Sequence, residues 1–108
     1  MPSEVIQIKA LDGHALEGYL ATPAGPPKAG LLVLQEIFGV NAHMRHVTDD
    51  FAARGYLALA PALFDRVRRR AELGYDQIAE GRDLMMKLAV DDVASDLAGA
   101  VEALRERL

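Results

Sequence analysis

Four aliphatic residues stand in a row at Leu31-Leu32-Val33-Leu34, with Gly30 before them and Gly39 shortly after. A run this short, with no polar alternation, reads as a strand buried on both faces, as in the interior of a parallel sheet. It ends on Gln35-Glu36. In an open parallel sheet the carboxyl ends of the strands face the ligand crevice, so an acid at position 36 would face whatever is bound. The same carboxylate also suits the cap of a helix starting a few residues later.

The segments on either side fit a sheet around that strand. Val5 to Ala10 alternates, with Ile6, Ile8 and Ala10 on one side and Gln7 and Lys9 on the other. The alternation resumes from Leu16 to Ala21 after Asp12-Gly13, whose residues tolerate a positive φ, so residues 5–21 read as a β-hairpin. Thr22 to Lys28 holds three prolines and cannot join a ladder. Asn41 is placed to cap a helix carrying Met44, Val47 and Phe51, and Gly55 supplies its left-handed stop. Tyr56 to Ala60 is then a second buried strand, ended by Pro61. Strand, helix and strand over residues 31–60 make a right-handed βαβ unit with parallel strands.

The second half is less regular. Residues 61–74 show no period and hold Arg66, Arg68, Arg69 and Arg70. They read as a long surface loop at the carboxyl edge of the sheet, a length of loop that tends to carry function. Residues 75–108 read as two helices. The first runs from Tyr75 to about Leu88 and is weakened by Gly81. The second is capped by Asp91 or Asp92, with an apolar stripe of Val93, Leu97, Ala100, Val101, Leu104 and Leu108.

Composition narrows the function classes. A chain of 108 residues makes one domain at most. Its formal charge of −4 argues against nucleic acid or an anionic membrane as the partner. No apolar run approaches the roughly 20 residues of a membrane span, and the N-terminus lacks the regions of a signal peptide, so the cytoplasm is the expected compartment. With no cysteine there is neither a disulfide nor a thiol nucleophile. The only serines are Ser3, at the N-terminus, and Ser95, inside a helix. Neither has the strained, glycine-flanked turn that exposes a nucleophile. His43 and His46, three apart on one helix, are half a metal site without a third ligand at useful spacing, so no metal is expected there.

The stretch QEIFGVNAHMRHVTDDFAARGYLALAPALFDR resembles the N-terminal part of the dienelactone hydrolase family, a branch of the α/β-hydrolases. The resemblance is carried by a strand, Gln-Glu-Ile-Phe-Gly, a helix, then Gly-Tyr and an apolar run into Ala-Pro. It extends more loosely from Val5 to the C-terminus. It implies an α/β fold, the front half of an α/β-hydrolase sheet, with residues 1–108 as one partial domain ending before the nucleophile strand. It further implies that Glu36 takes a proton from the nucleophile, and that the backbone N–H of Ile37 stabilises the oxyanion. Phe38 would line the pocket, or else be a core residue under the first helix. The family's substrates are small carboxylate-bearing lactones or esters, and Arg82 is the nearest match to their carboxylate binder, displaced by about one helical turn from its expected place.

The family chemistry is hydrolysis through a covalent acyl-enzyme, with no cofactor and no metal, and with cysteine or, in neighbouring branches, serine as nucleophile. Neither that nucleophile nor the late histidine is present. The chain is therefore expected to be a fragment of a hydrolase, one half of a two-chain hydrolase, or a non-catalytic binding or assembly remnant. Its partners are expected to be a second copy in a homo-oligomer or a complementary C-terminal half, because the Leu31 strand would lack one neighbour and expose an apolar edge.

Overall fold

The computed structural model describes residues 2–108. In chain order it consists of β1 (Ser3–Lys9), β2 (Ala15–Ala21), β3 (Gly30–Leu32), α1 (Ala42–Ala53), β4 (Leu57–Pro61), a 3-10 helix (Leu63–Arg66), α2 (Ile78–Met86) and α3 (Val90–Arg105). One sheet holds all four strands in the order β1-β2-β4-β3. The hairpin is antiparallel in register from Ser3↔Ala21 to Lys9↔Ala15, β2 runs antiparallel to β4, and β3 runs parallel to β4. The fold is α/β, as expected.

The pleat of β4 assigns the helices to opposite faces. Leu57 and Leu59 join Ile8, Leu16 and Leu20 in the core under Ala100, Ala103 and Leu104 of α3. Ala58 and Ala60 point the other way and join Val33 and Met44, with Val47 and Phe51 of α1 packed alongside. Small residues on that face let α1 approach closely. Asn41 caps α1 as expected, its side-chain oxygen accepting from the Met44 N–H at 3.0 Å. On α1 the Asp49 carboxylate accepts from the Tyr19 hydroxyl at 2.9 Å, fastening the helix to β2.

Four sequence expectations change. The buried strand at 31–34 is only Gly30–Leu32 and half-buried, while Leu34 is 52 % exposed. β3 lies at the sheet edge, and an aliphatic run is interior only where a neighbour covers it. Residues 61–74 are not a surface loop, because Leu63, Phe64, Ala71 and Leu73 are buried and form a third core with Leu84 of α2. A 3-10 turn and irregular backbone bury side chains without any helical or strand period. The last helix is not capped by Asp91 or Asp92. Ala89 occupies that position, and both aspartates fall in the first turn, where they favour the positive end of the helix dipole. The apolar stripe expected to end on Leu108 is buried only as far as Leu104, which sits over Gly30, whereas Leu108 is 60 % exposed. Among the described residues no helix is long and apolar enough to cross a membrane.

Candidate active site

Past β3 the Val33 N–H still donates to Leu59 O at 2.9 Å, and the chain then leaves the sheet. Glu36 to Gly39 form a tight turn in which the Gly39 N–H donates to Glu36 O at 3.2 Å. Gly39 has φ +82°, and an added Cβ would lie 2.0 Å from Ala71 O, so turn geometry and crowding both require glycine here. The segment after the 3-10 helix grips the turn from outside, with the Leu73 N–H donating to Phe38 O at 3.0 Å. α2 also presses on it, through Gly81, whose missing Cβ would stand 2.4 Å from Ile37 O. Gly81 is therefore not a weakness in α2, as its sequence suggests, but the point where that helix meets the turn.

Gln35 adds a cross-tie. Its Nε2 donates to Glu36 O at 3.1 Å, and its Oε1 accepts from the Leu63 N–H at 3.0 Å. That N–H opens the 3-10 helix and has no partner within it. One side chain thus joins the exit of β3 to the exit of β4.

The turn borders a cleft of about 590 Å³, whose other walls include Leu63, Phe64, Met85, Leu88, Val93 and Leu97. Glu36 and Ile37 both line it. Glu36 is exposed, and among the described residues its carboxylate has no hydrogen-bond or ion-pair partner. Nor does the Ile37 N–H donate to any described group. A lone carboxylate and a backbone donor one residue apart, at the rim of an apolar cleft, can take a proton and stabilise a developing negative charge.

The remaining candidates lie elsewhere. Phe38 packs edge-on to Tyr75 at 4.7 Å and joins the third core beside Leu84, so it sits under α2 and not under α1. Arg82 is exposed on α2 and is not among the residues lining the cleft. Ser95 Oγ accepts from the Asp12 N–H at 2.8 Å, a tie between α3 and the hairpin turn. His43 is exposed, and the exposed His46 lies 3.6 Å from Asp50 on the same helix.

Sequence reasoning passed over the ion cluster around Arg66. The Arg66 side chain is 14 % exposed. It reaches Asp96 at 2.9 Å and Asp12 at 3.0 Å, with Asp92 3.6 Å away. Asp96 is fully buried. The hydrogen bonds that Arg66 donates to Asp12 and then to Asp96 raise the guanidinium pKa above its ordinary range. Asp12 is held well below the usual carboxylate range, chiefly by the Arg66 hydrogen bond and next by the His14 backbone N–H. Asp65, also buried, accepts from the Glu17 N–H at 2.8 Å and the Arg70 N–H at 3.1 Å, which shapes the loop behind the cleft. Arg68 pairs with Glu80 of α2, and that hydrogen bond lowers the Glu80 pKa.

The model of the dienelactone hydrolase family matches residues 16–108. The chain belongs to that family. A carboxymethylenebutenolidase from Pseudomonas putida is 39% identical over 66 residues, 61% of this chain and 28% of that protein. A Synechocystis protein provisionally given the same name is 39% identical over 89 residues, 80% of this chain and 36% of its own. The chain thus spans about a third of the length of the curated relatives it matches. A crystal structure from Klebsiella pneumoniae, described provisionally as a dienelactone hydrolase, superposes with a TM-score of 0.74 at 26% identity. It covers 98% of this chain and 45% of the other. The dienelactone hydrolase fold of the relatives therefore accounts for nearly the whole chain.

Proposed function

We propose that this chain contributes the Glu36 side of an ester or lactone hydrolase site that works through a covalent acyl-enzyme. The supporting observation is the unpartnered Glu36 carboxylate beside the Ile37 N–H at the rim of the cleft. In this reading Glu36 takes the proton of an approaching nucleophile and raises its reactive fraction. The Ile37 N–H then holds the oxyanion, a role worth on the order of 3 kcal/mol in the transition state. The apolar walls suit the body of a small lactone or ester. Phe38 supports the turn from behind. Arg82 serves a substrate carboxylate only where the substrate extends past the cleft along α2.

The nucleophile and its histidine come from outside these 108 residues, since the chain has no cysteine and Ser95 is tied to the hairpin. A complementary segment therefore completes the site. A second reading, an assembly module, is favoured by the outer edge of β3, which has no strand partner among the described residues. The two readings separate on a reconstituted protein, in which residues 1–108 are joined to the nucleophile-bearing segment of a family relative and assayed on an aryl ester and a dienelactone. Glu36→Gln keeps size and hydrogen bonding but cannot take a proton, and the hydrolase reading expects a loss of about a hundredfold or more in kcat. Unchanged turnover removes Glu36 from the mechanism.

A further inference from the structure

We infer that Gln35 is a positioning residue whose side-chain amide sets the plane of the Glu36–Ile37 peptide and thereby the direction of the Ile37 N–H. The inference rests on the oxyanion role given to Ile37 above.

The peptide unit is planar, so the Glu36 C=O and the Ile37 N–H are parts of one rigid plate and point in opposite directions. Whatever holds the oxygen therefore aims the hydrogen. Two donors hold that oxygen, Gln35 Nε2 at 3.1 Å and the Gly39 N–H at 3.2 Å. The Gly39 bond lies inside the turn and moves with it. The Gln35 bond is different, because the far end of the same amide is anchored to the Leu63 N–H at 3.0 Å, on the segment that leaves β4. It references the plate to the neighbouring strand. Donors on the carbonyl also polarise the peptide, so the N–H at its other end becomes a stronger donor.

The nearest substitutes do not do both jobs. Glutamate keeps an acceptor for Leu63 but has no donor for Glu36 O, asparagine is one methylene shorter, and methionine offers neither function. Gln35 also lines both the Glu36 cleft and a second cavity of about 260 Å³. With both ends of its amide hydrogen-bonded, the side chain holds a single orientation.

Two substitutions separate aiming from simple support, read by amide NMR on the ¹⁵N-labelled chain with benzylphosphonate as an oxyanion mimic. In Gln35→Glu the Leu63 amide resonance stays in place, because its acceptor remains, while the Ile37 resonance moves. In Gln35→Met both move, and benzylphosphonate binding detected at Ile37 weakens about fivefold, the equivalent of roughly one hydrogen bond. Added charge alone in Gln35→Glu would shift Leu63 and Ile37 together, and that pattern overturns the inference. So does an Ile37 resonance that is unchanged in both variants and still responds fully to benzylphosphonate, which leaves the oxyanion role standing. If Ile37 of the unmodified chain ignores benzylphosphonate, the oxyanion role falls first and takes the aiming role with it. Should Gln35→Met not fold, Gln35→Glu decides the question, because it keeps the Leu63 bond.

Discussion

Gly81 and Ile37 meet so closely that a methyl group on Gly81 would lie 2.4 Å from the Ile37 carbonyl oxygen. The carbonyl is backbone, in a turn whose next carbonyl, Phe38 O, is held by the Leu73 N–H, so it has little room to retreat. Gly81→Ala is therefore expected to destabilise the protein by about 1–3 kcal/mol despite the better helix propensity of alanine. Urea unfolding measures this. A more stable variant would show that α2 can shift away from the turn at no cost.

Gly39→Ala is expected to be worse. The new side chain meets both a left-handed backbone and the Ala71 carbonyl at 2.0 Å, and neither can be relieved without opening the turn that carries Glu36. Strain and overpacking together are expected to cost more than about 3 kcal/mol. Thermal unfolding followed by circular dichroism reads the loss.

Removing Arg66 leaves the fully buried Asp96 without its cation. Arg66→Leu is expected to cost about 3–5 kcal/mol, the usual penalty for a stranded buried charge. The double variant Arg66→Leu with Asp96→Leu should recover much of that loss. A double variant no better than the single one would mean that packing, and not charge, sets the cost.

Acid should weaken the same cluster. The folded pKa of Asp12 lies below its unfolded value of about 3.9. Its contribution is thus complete above the unfolded value and is lost as pH falls through the lower, folded one. Asp12→Asn should show a flatter fall in stability below about pH 4 and little change in the pH dependence above it. Urea midpoints measured across pH 2–6 give the comparison, and parallel acid limbs in the two proteins would dismiss the claim.

The edge of β3 makes a further prediction. Ala29 O accepts from the Leu57 N–H and the Val33 N–H donates to Leu59 O, so by alternation the Leu32 N–H points away from β4. That outward edge is apolar and has no strand partner among the described residues, a template for pairing with another chain. At micromolar concentration the chain should run above monomer mass in size-exclusion light scattering. Leu32→Pro removes that outward N–H, together with a side chain packed against the first core, and should return the folded chain to monomer mass. A monomeric unmodified chain ends this claim.

What could be read from the residues followed the strength of local periodicity. The hairpin, the Asn41 cap, the left-handed Gly55 and the βαβ unit all have short-range signatures, and each stands where expected. The segment after Pro61 was opaque because its order comes from long-range polar contacts. Asp65 reaches back to Glu17, and Arg66 gathers aspartates from the hairpin turn and from α3. One signal was available: Asp96 falls on the face of α3 that Ala100 and Ala103 bury, and an acid on an apolar helix face needs a buried partner. The Glu36 turn was legible as a motif, but not the role of Gln35, since nothing local says that its amide ends on Leu63.

The sheet order also sets the sequence of events when the chain folds. β1 and β2 are neighbours in sequence and can close in about 1–10 μs, the ordinary time of a hairpin. β4, which stands between β2 and β3, cannot reach either until the connecting segments and α1 have collapsed, so its ladders carry the loop-closure entropy. The strand nearest the middle of the finished molecule is accordingly among the last to be paired.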